Sequence, residues 1–218
     1  MSVVELFFAR HGDTFAPGQP VVWAGSKNDL PLAPRGIEQA RILGEALKRC
    51  EIAPTRVLTG PLERTREFAR LALEASGSHA IPQIDPRLDE IDYGLWSGLT
   101  NRDIIERYGS RELELWNVLS IWPKEANWGS SETVVRGELH TLIQEVVTRG
   151  ESPVLLISSN GRLRYVLTMI ARELERRVRD QTFKMKTGNL SCLRWDGSDF
   201  SLPFWDIPPS DLNPARSS

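Results

Sequence analysis

Three short apolar runs constrain this chain more than any other feature, because each ends in polar residues or glycine and is followed by a helical pattern. Val3-Val4-Glu5-Leu6-Phe7-Phe8-Ala9 is rich in β-formers and only a few residues long, which predicts a strand buried on both faces. Arg10-His11-Gly12 follows at once. From Pro34 the apolar residues Ile37, Ala40, Leu43 and Leu47 recur at three- and four-residue spacings, one face of a helix running through Lys48 and Arg49. Thr55 to Thr59 is a second strand, and Gly60-Pro61 opens a helix in which Leu62, Ala69, Ala72 and Leu73 share a face, with proline at the first helical position. Val154 to Ser158 is a third strand, followed by Asn160-Gly161 and a helical stretch through Glu173.

Repeated strand–loop–helix units predict an α/β fold, with a mainly parallel central sheet and helices on both faces, a three-layer α/β/α arrangement. Ligands in such folds bind beyond the carboxyl ends of the strands, so Arg10 and His11, Arg64 one helical turn on, and Asn160 should converge. The 218 residues carry no internal linker and read as one domain. Asn101 to Tyr108 and Arg111 to Leu119 look helical and lead into a tryptophan-rich stretch, a small cap over about residues 100–130. Val134, Val135, Leu139, Leu142, Val146 and Val147 mark another amphipathic helix. Leu190 to Trp195 and Phe200 to Phe204 flank Asp196-Gly197, a hairpin signal. The tail from Pro203 carries four prolines and few apolar residues after Ile207, so about residues 205–218 are expected to be irregular.

Composition excludes several classes. A formal charge of −2 leaves no electrostatic footprint for nucleic acid or an anionic membrane, so neither is expected as a partner. Cys50 and Cys192 sit at no metal-ligand or redox spacing and read as buried thiols in a reducing compartment. Val3 to Ala9 is too short and lacks the basic leader of a signal peptide, and no apolar run approaches the ~20 residues of a membrane span. A cytoplasmic protein is expected. Whether copies associate as a homo-oligomer is left open.

The sharpest local feature is Arg10-His11-Gly12 directly after a buried strand. It is followed by Asp29-Leu30-Pro31-Leu32, then Gly36, Gln39 and Ala40 at the head of the next helix, then Pro61-Leu62-Glu63-Arg64, then Leu88-Asp89-Glu90-Ile91-Asp92-Tyr93-Gly94-Leu95-Trp96-Ser97-Gly98. These four blocks, in this order, resemble the histidine phosphatase (phosphoglycerate mutase-like) superfamily over roughly residues 3 to 195. Only Ala33 departs from the second block, where the family has threonine.

The resemblance implies a phosphomonoesterase acting on a small phosphorylated metabolite. It makes His11 the nucleophile that becomes phosphorylated, Arg10 and Arg64 the ligands of the phosphoryl oxygens, and Glu90 the proton donor to the leaving group, with Asp92 its rival. The chemistry is consistent. A neutral imidazole is a competent nucleophile, and two flanking cations disfavour its protonation while binding phosphate. Guanidinium groups offer planar bidentate donors that stay charged, and Arg64 in the first turn of a helix adds to an end that already favours anions. Phosphoryl transfer needs positioning, charge stabilisation and a proton for the departing alkoxide, and a carboxyl near the phosphate's charge is pushed toward its protonated form. No Asp/Glu/His/Cys cluster has ligand spacing, so no metal or cofactor is expected.

One block breaks. Where the family's third strand ends in Ser-His-Gly, this chain reads Ser158-Ser159-Asn160-Gly161, and His79 and His140 are badly placed to substitute. Asn160 keeps an N–H donor for phosphate and loses a positive charge. Removing one donor from a developing oxyanion costs ~100- to 1,000-fold in rate, so the change predicts a slow or specialised enzyme. Arg162 is a candidate to restore the charge. A catalytically weakened phosphoester-binding or regulatory protein is the alternative, and a phosphoglycerate mutase, which usually keeps both histidines and a longer cap, is a further one. Smaller departures at Gly60, at Gly129-Ser130-Ser131 and at Phe15-Ala16-Pro17-Gly18 bear on substrate identity.

Overall fold

The structure is a computed structural model and describes residues 3–213. A six-stranded sheet is built from β1 (Val4–Arg10), β2 (Arg56–Thr59), β3 (Gln83–Ile84), β4 (Val154–Ser158), β5 (Leu190–Trp195) and β6 (Phe200–Ile207), in the order β3-β2-β4-β1-β5-β6. Strands β3, β2, β4 and β1 are parallel neighbours, while β5 runs antiparallel to β1 and β6 antiparallel to β5. The sheet is thus parallel at its centre, with a hairpin added at one edge.

Alternation along the strands divides the core in two. Val4, Leu6 and Phe8 of β1 and Leu156 of β4 join one cluster, while Phe7, Ala9, Leu155 and Ile157 join the other, and all are buried. The second face is covered by α1 (Pro34–Arg49) and α2 (Glu63–Ser76). The first is covered by α5 (Glu132–Arg149) and by the cap helices α3 (Asn101–Tyr108) and α4 (Arg111–Leu119), at the boundaries the sequence predicts. Both faces of the central strands are therefore dry, which accounts for their continuous apolar runs.

Pro34 starts α1 and Lys48 and Arg49 close it, a proline at the first turn and cations at the last. Helix α2 begins at Glu63, later than its sequence suggests, because Leu62 is still extended (φ −70°, ψ 144°). The helix expected from Asn160 through Glu173 is broken into a short turn α6 (Asn160–Leu163), a 3₁₀ segment Arg164–Met169 and α7 (Glu173–Arg179). Leu163, Tyr165, Val166 and Leu167 are all buried. They surround the segment with apolar contacts instead of leaving it one amphipathic face, and the chain leaves the helix at Ile170 (φ −117°, ψ 129°).

The tail also differs from expectation. β6 continues through Pro203 to Ile207, tolerated because β6 is an edge strand, and a 3₁₀ turn follows at Pro209–Asp211. Leu212 is buried in the α1/α2 core, and Arg49 donates to the carbonyls of Pro209 and Leu212 at 3.0 and 3.3 Å. Burial of that side chain and capture of two carbonyls order what composition alone presents as loose; residues 214–218 lie outside the described residues. Beneath the cap, five of the seven tryptophans (Trp23 and Trp96 from outside it, Trp116, Trp122 and Trp128 from within it) meet edge to face or tilted, with Tyr93 among them, at centroid distances of 4.8–6.5 Å. No helix among the described residues is long and apolar enough to cross a membrane.

Candidate active site

The carboxyl ends of β1 and β4 lie side by side, Arg10 opposite Ser158, and the ladder continues one residue further as His11 N–H donates to the Ser158 carbonyl at 3.1 Å. Past that point the chain turns tightly. A β-carbon on Gly12 would meet the Gly36 carbonyl oxygen at 2.5 Å, and one on Gly36 would meet the Asp13 carbonyl oxygen at 2.2 Å. Gln39 accepts from Asp13 N–H at 2.8 Å and donates to the Thr187 carbonyl at 3.2 Å. The second sequence block is therefore the clamp that holds the His11 loop against the start of α1.

A cavity of about 910 Å³ opens at this edge, and Arg10, His11, Arg64, Glu90 and Asn160 all line it. His11 is 6% exposed and its Nδ1 lies 2.7 Å from the Gly12 carbonyl oxygen. A carbonyl only accepts, so Nδ1 carries the proton and Nε2 keeps its lone pair. Burial first, then the charges of Arg64 and Arg10, hold this imidazole well below the usual histidine range, leaving it neutral.

Arg64 is 1% exposed and donates to the carbonyls of Asn28, Ala24 and Gly25 at 2.8, 3.1 and 3.4 Å. Its helix end is less free for anions than expected, since Asp29 already accepts from Glu63 N–H at 2.7 Å. The local attraction for an anion thus comes from the guanidinium. Arg10 donates to the Met185 carbonyl at 2.6 Å, while its buried Nε has no hydrogen-bond partner. Asn160 accepts from Met185 N–H through Oδ1 at 2.8 Å, which leaves its amide N–H donors for the cavity.

Glu90 is 8% exposed, accepts from Ile91 N–H at 2.9 Å, and is hydrogen-bonded to the Tyr93 hydroxyl, whose ionisation burial and then Glu90's charge push well above its usual range. A β-carbon on Gly161 would meet Glu90 Oε1 at 2.4 Å and the Tyr93 hydroxyl at 2.5 Å, so any side chain there would have to displace the ends of this pair. Asp92 does not line the cavity. It pairs with Lys27 at 2.6 Å and accepts from Gly94 N–H at 3.0 Å; burial pushes its carboxyl up, but these contacts bring it below the usual range.

Arg162, the candidate replacement charge, turns away from the cavity. It donates to the Asp89 and Val135 carbonyls at 2.9 and 3.2 Å and pairs with Glu138 at 2.7 Å, which neutralises it. His140 bonds Thr168, His79 is exposed, and Cys50 and Cys192 are buried free thiols. Sequence reasoning missed Tyr93, Arg164 and Lys184, which also line the cavity. Arg164 has a usable signal, four residues after Asn160 and so on the same side of a helical turn. Lys184 arrives on a loop with no periodicity to mark it. Among the described residues no group of three or more His, Cys, Asp or Glu side chains could hold a metal ion.

This chain belongs to the histidine phosphatase superfamily (branch 1), whose sequence profile matches residues 6–208. It is 34% identical over 115 residues to the 2,3-bisphosphoglycerate-dependent phosphoglycerate mutase of Enterococcus faecalis, a stretch covering 51% of this chain and 49% of the mutase. The match thus spans about half the length of that relative. Among solved structures it is similar to a putative alpha-ribazole-5'-P phosphatase from Escherichia coli K-12 (TM-score 0.75, 24% identity, 94% of this chain and 97% of that one). It is likewise similar to the mycobacterial glucosyl-3-phosphoglycerate phosphatase (TM-score 0.76, 22% identity, 94% and 99%). At these identities the likeness to the two structures is one of fold.

Proposed function

We propose that the protein is a phosphomonoesterase that hydrolyses a small phosphorylated metabolite through a phosphohistidine at His11. The observation that carries this reading is the neutral His11 ring, its Nε2 free, sharing one cavity with two arginines and a carboxyl group. In the first step the Nε2 lone pair attacks phosphorus, the bond to the ester oxygen breaks, and that oxygen takes a proton from Glu90. In the second, Glu90 accepts a proton from water, the resulting hydroxide attacks phosphorus, and the N–P electron pair returns to Nε2. Arg10, Arg64 and an Asn160 N–H hold the equatorial oxygens, where negative charge is concentrated in the transition state. Asp92, tied to Lys27 outside the cavity, has no part in it.

The test is to incubate the protein with a panel of phosphorylated metabolites, quench in alkali and map the label. Acid-labile phosphate on His11, with loss of phosphate release in His11→Ala, is expected; full turnover in that variant overturns the reading. A second reading draws on Asn160, a neutral donor that suits a protein binding phosphoesters for regulation. Binding without turnover across the panel would select it, and transfer to an acceptor hydroxyl in place of water would mark a mutase.

A further inference from the structure

Besides Arg10 and Arg64, four more cations line the cavity that the proposed phosphoryl chemistry does not use, and two of them, Arg164 and Lys184, have no salt bridge among the described residues. Arg164 is 2% exposed, and its guanidinium carbon lies 3.7 Å from the Trp116 ring centroid and 5.2 Å from that of Phe183. Nη1 donates to Ser120 Oγ at 3.1 Å and to the Trp116 carbonyl at 3.4 Å, while the buried Nε has no partner. Stacking and two bonds along one edge thus fix the plane of a buried guanidinium and leave donor capacity unspent, an uncommon state for a buried polar group. Lys184 reaches the same cavity from the loop before β5 and donates to Asn117 Oδ1 of α4 at 3.2 Å.

The charges do not balance. Among the described residues none of Arg10, Arg64, Arg164 and Lys184 forms an ion pair with a carboxylate, whereas the other two cations lining the cavity do: Arg35 lies 3.2 Å from Asp13 and Arg102 lies 2.8 Å from Glu106. Desolvation, then the positive charges of Arg164 and Arg10, lower Lys184 to about 8, although much of its side chain stays open to solvent. Glu90 is the one carboxyl whose charge acts on both Arg10 and Arg164, and four cations sharing it without a salt bridge store repulsion that a bound anion relieves. A phosphoryl group held by Arg10 and Arg64 answers two of the four.

We propose that Arg164 and Lys184, with Asn117 beside them, form a second anion subsite on the cap side of the cavity. It would select phosphate monoesters whose leaving group carries a further negative charge, a carboxylate or a second phosphate. The proposal rests on the phosphoester reading above and deepens it.

Two probes of nearly equal shape test it: glycerol 3-phosphate and 3-phosphoglycerate, which differ by a hydroxymethyl group against a carboxylate. Titration calorimetry on the intact protein should show at least ~10-fold tighter binding of 3-phosphoglycerate, the yield of one charge-assisted hydrogen bond beyond those shared. Lys184→Met should shrink that affinity ratio by ~3-fold or more, while Lys186→Met, which removes a charge outside this cavity, should leave the ratio as it is. Equal affinities in the wild type, or a ratio unmoved by Lys184→Met, overturn the subsite. So does an equal loss for both probes, which would assign Lys184 to the phosphoryl group itself. If the ratio behaves as expected while no phosphohistidine forms, the hydrolase reading fails and the subsite stands.

Discussion

Asn160 is fixed by the Met185 amide, so its remaining N–H donors are positioned and not free to rotate away. Asn160→Ala should therefore lower turnover by ~10- to 1,000-fold with the fold retained, the range for removing one donor from a developing anion; steady-state kinetics on the preferred phosphoester check it, and unchanged turnover removes Asn160 from the proposal. Arg10, His11, Arg64 and Asn160 were legible because they follow buried strands, where the fold leaves side chains little choice of direction, whereas Glu90 follows the exposed two-residue β3 and was marked only by the block that resembles the family. Arg162 is close to Asn160 in sequence but not in helical rotation. Two residues are about 200° of turn, which sends Arg162 to Glu138, while Arg164, a full turn on, comes back to the cavity. Lys184 had no such signal, since its loop is placed by Arg10 and Asn160 gripping Met185.

At the scale of elements, the parallel strands and the cap helices could be read from period and length, whereas the break at Arg164–Met169 could not, because burial on all sides erases the amphipathic pattern that marks a helix. The glycines are informative here. Gly36 lets α1 begin against the Asp13 backbone, and a methyl group there has only rigid main chain to displace. Gly36→Ala should cost about 1–3 kcal/mol through overpacking. Gly137, inside α5, has open space around its missing β-carbon, so Gly137→Ala should stabilise by roughly 0.5–1 kcal/mol. Urea denaturation of the two variants should therefore give midpoint shifts of opposite sign.

Across the whole molecule, the chain closes on itself through its last described turn, where Leu212 and the Pro209 and Leu212 carbonyls dock on the end of α1. Leu212→Ala should cost about 2 kcal/mol and lower the melting temperature by roughly 4–8 °C, measurable by calorimetry; a shift under a degree would show that this turn adds little. The cap has a consequence of another kind. Its three tryptophans join Trp23 and Trp96 from outside it in a chain of ring contacts, and two of the five, Trp23 and Trp116, also line the cavity. Light absorbed anywhere in that chain can migrate to an indole that lines the cavity. The protein's own ultraviolet emission therefore makes an optical gauge of what occupies the site, with no dye attached and no reaction required.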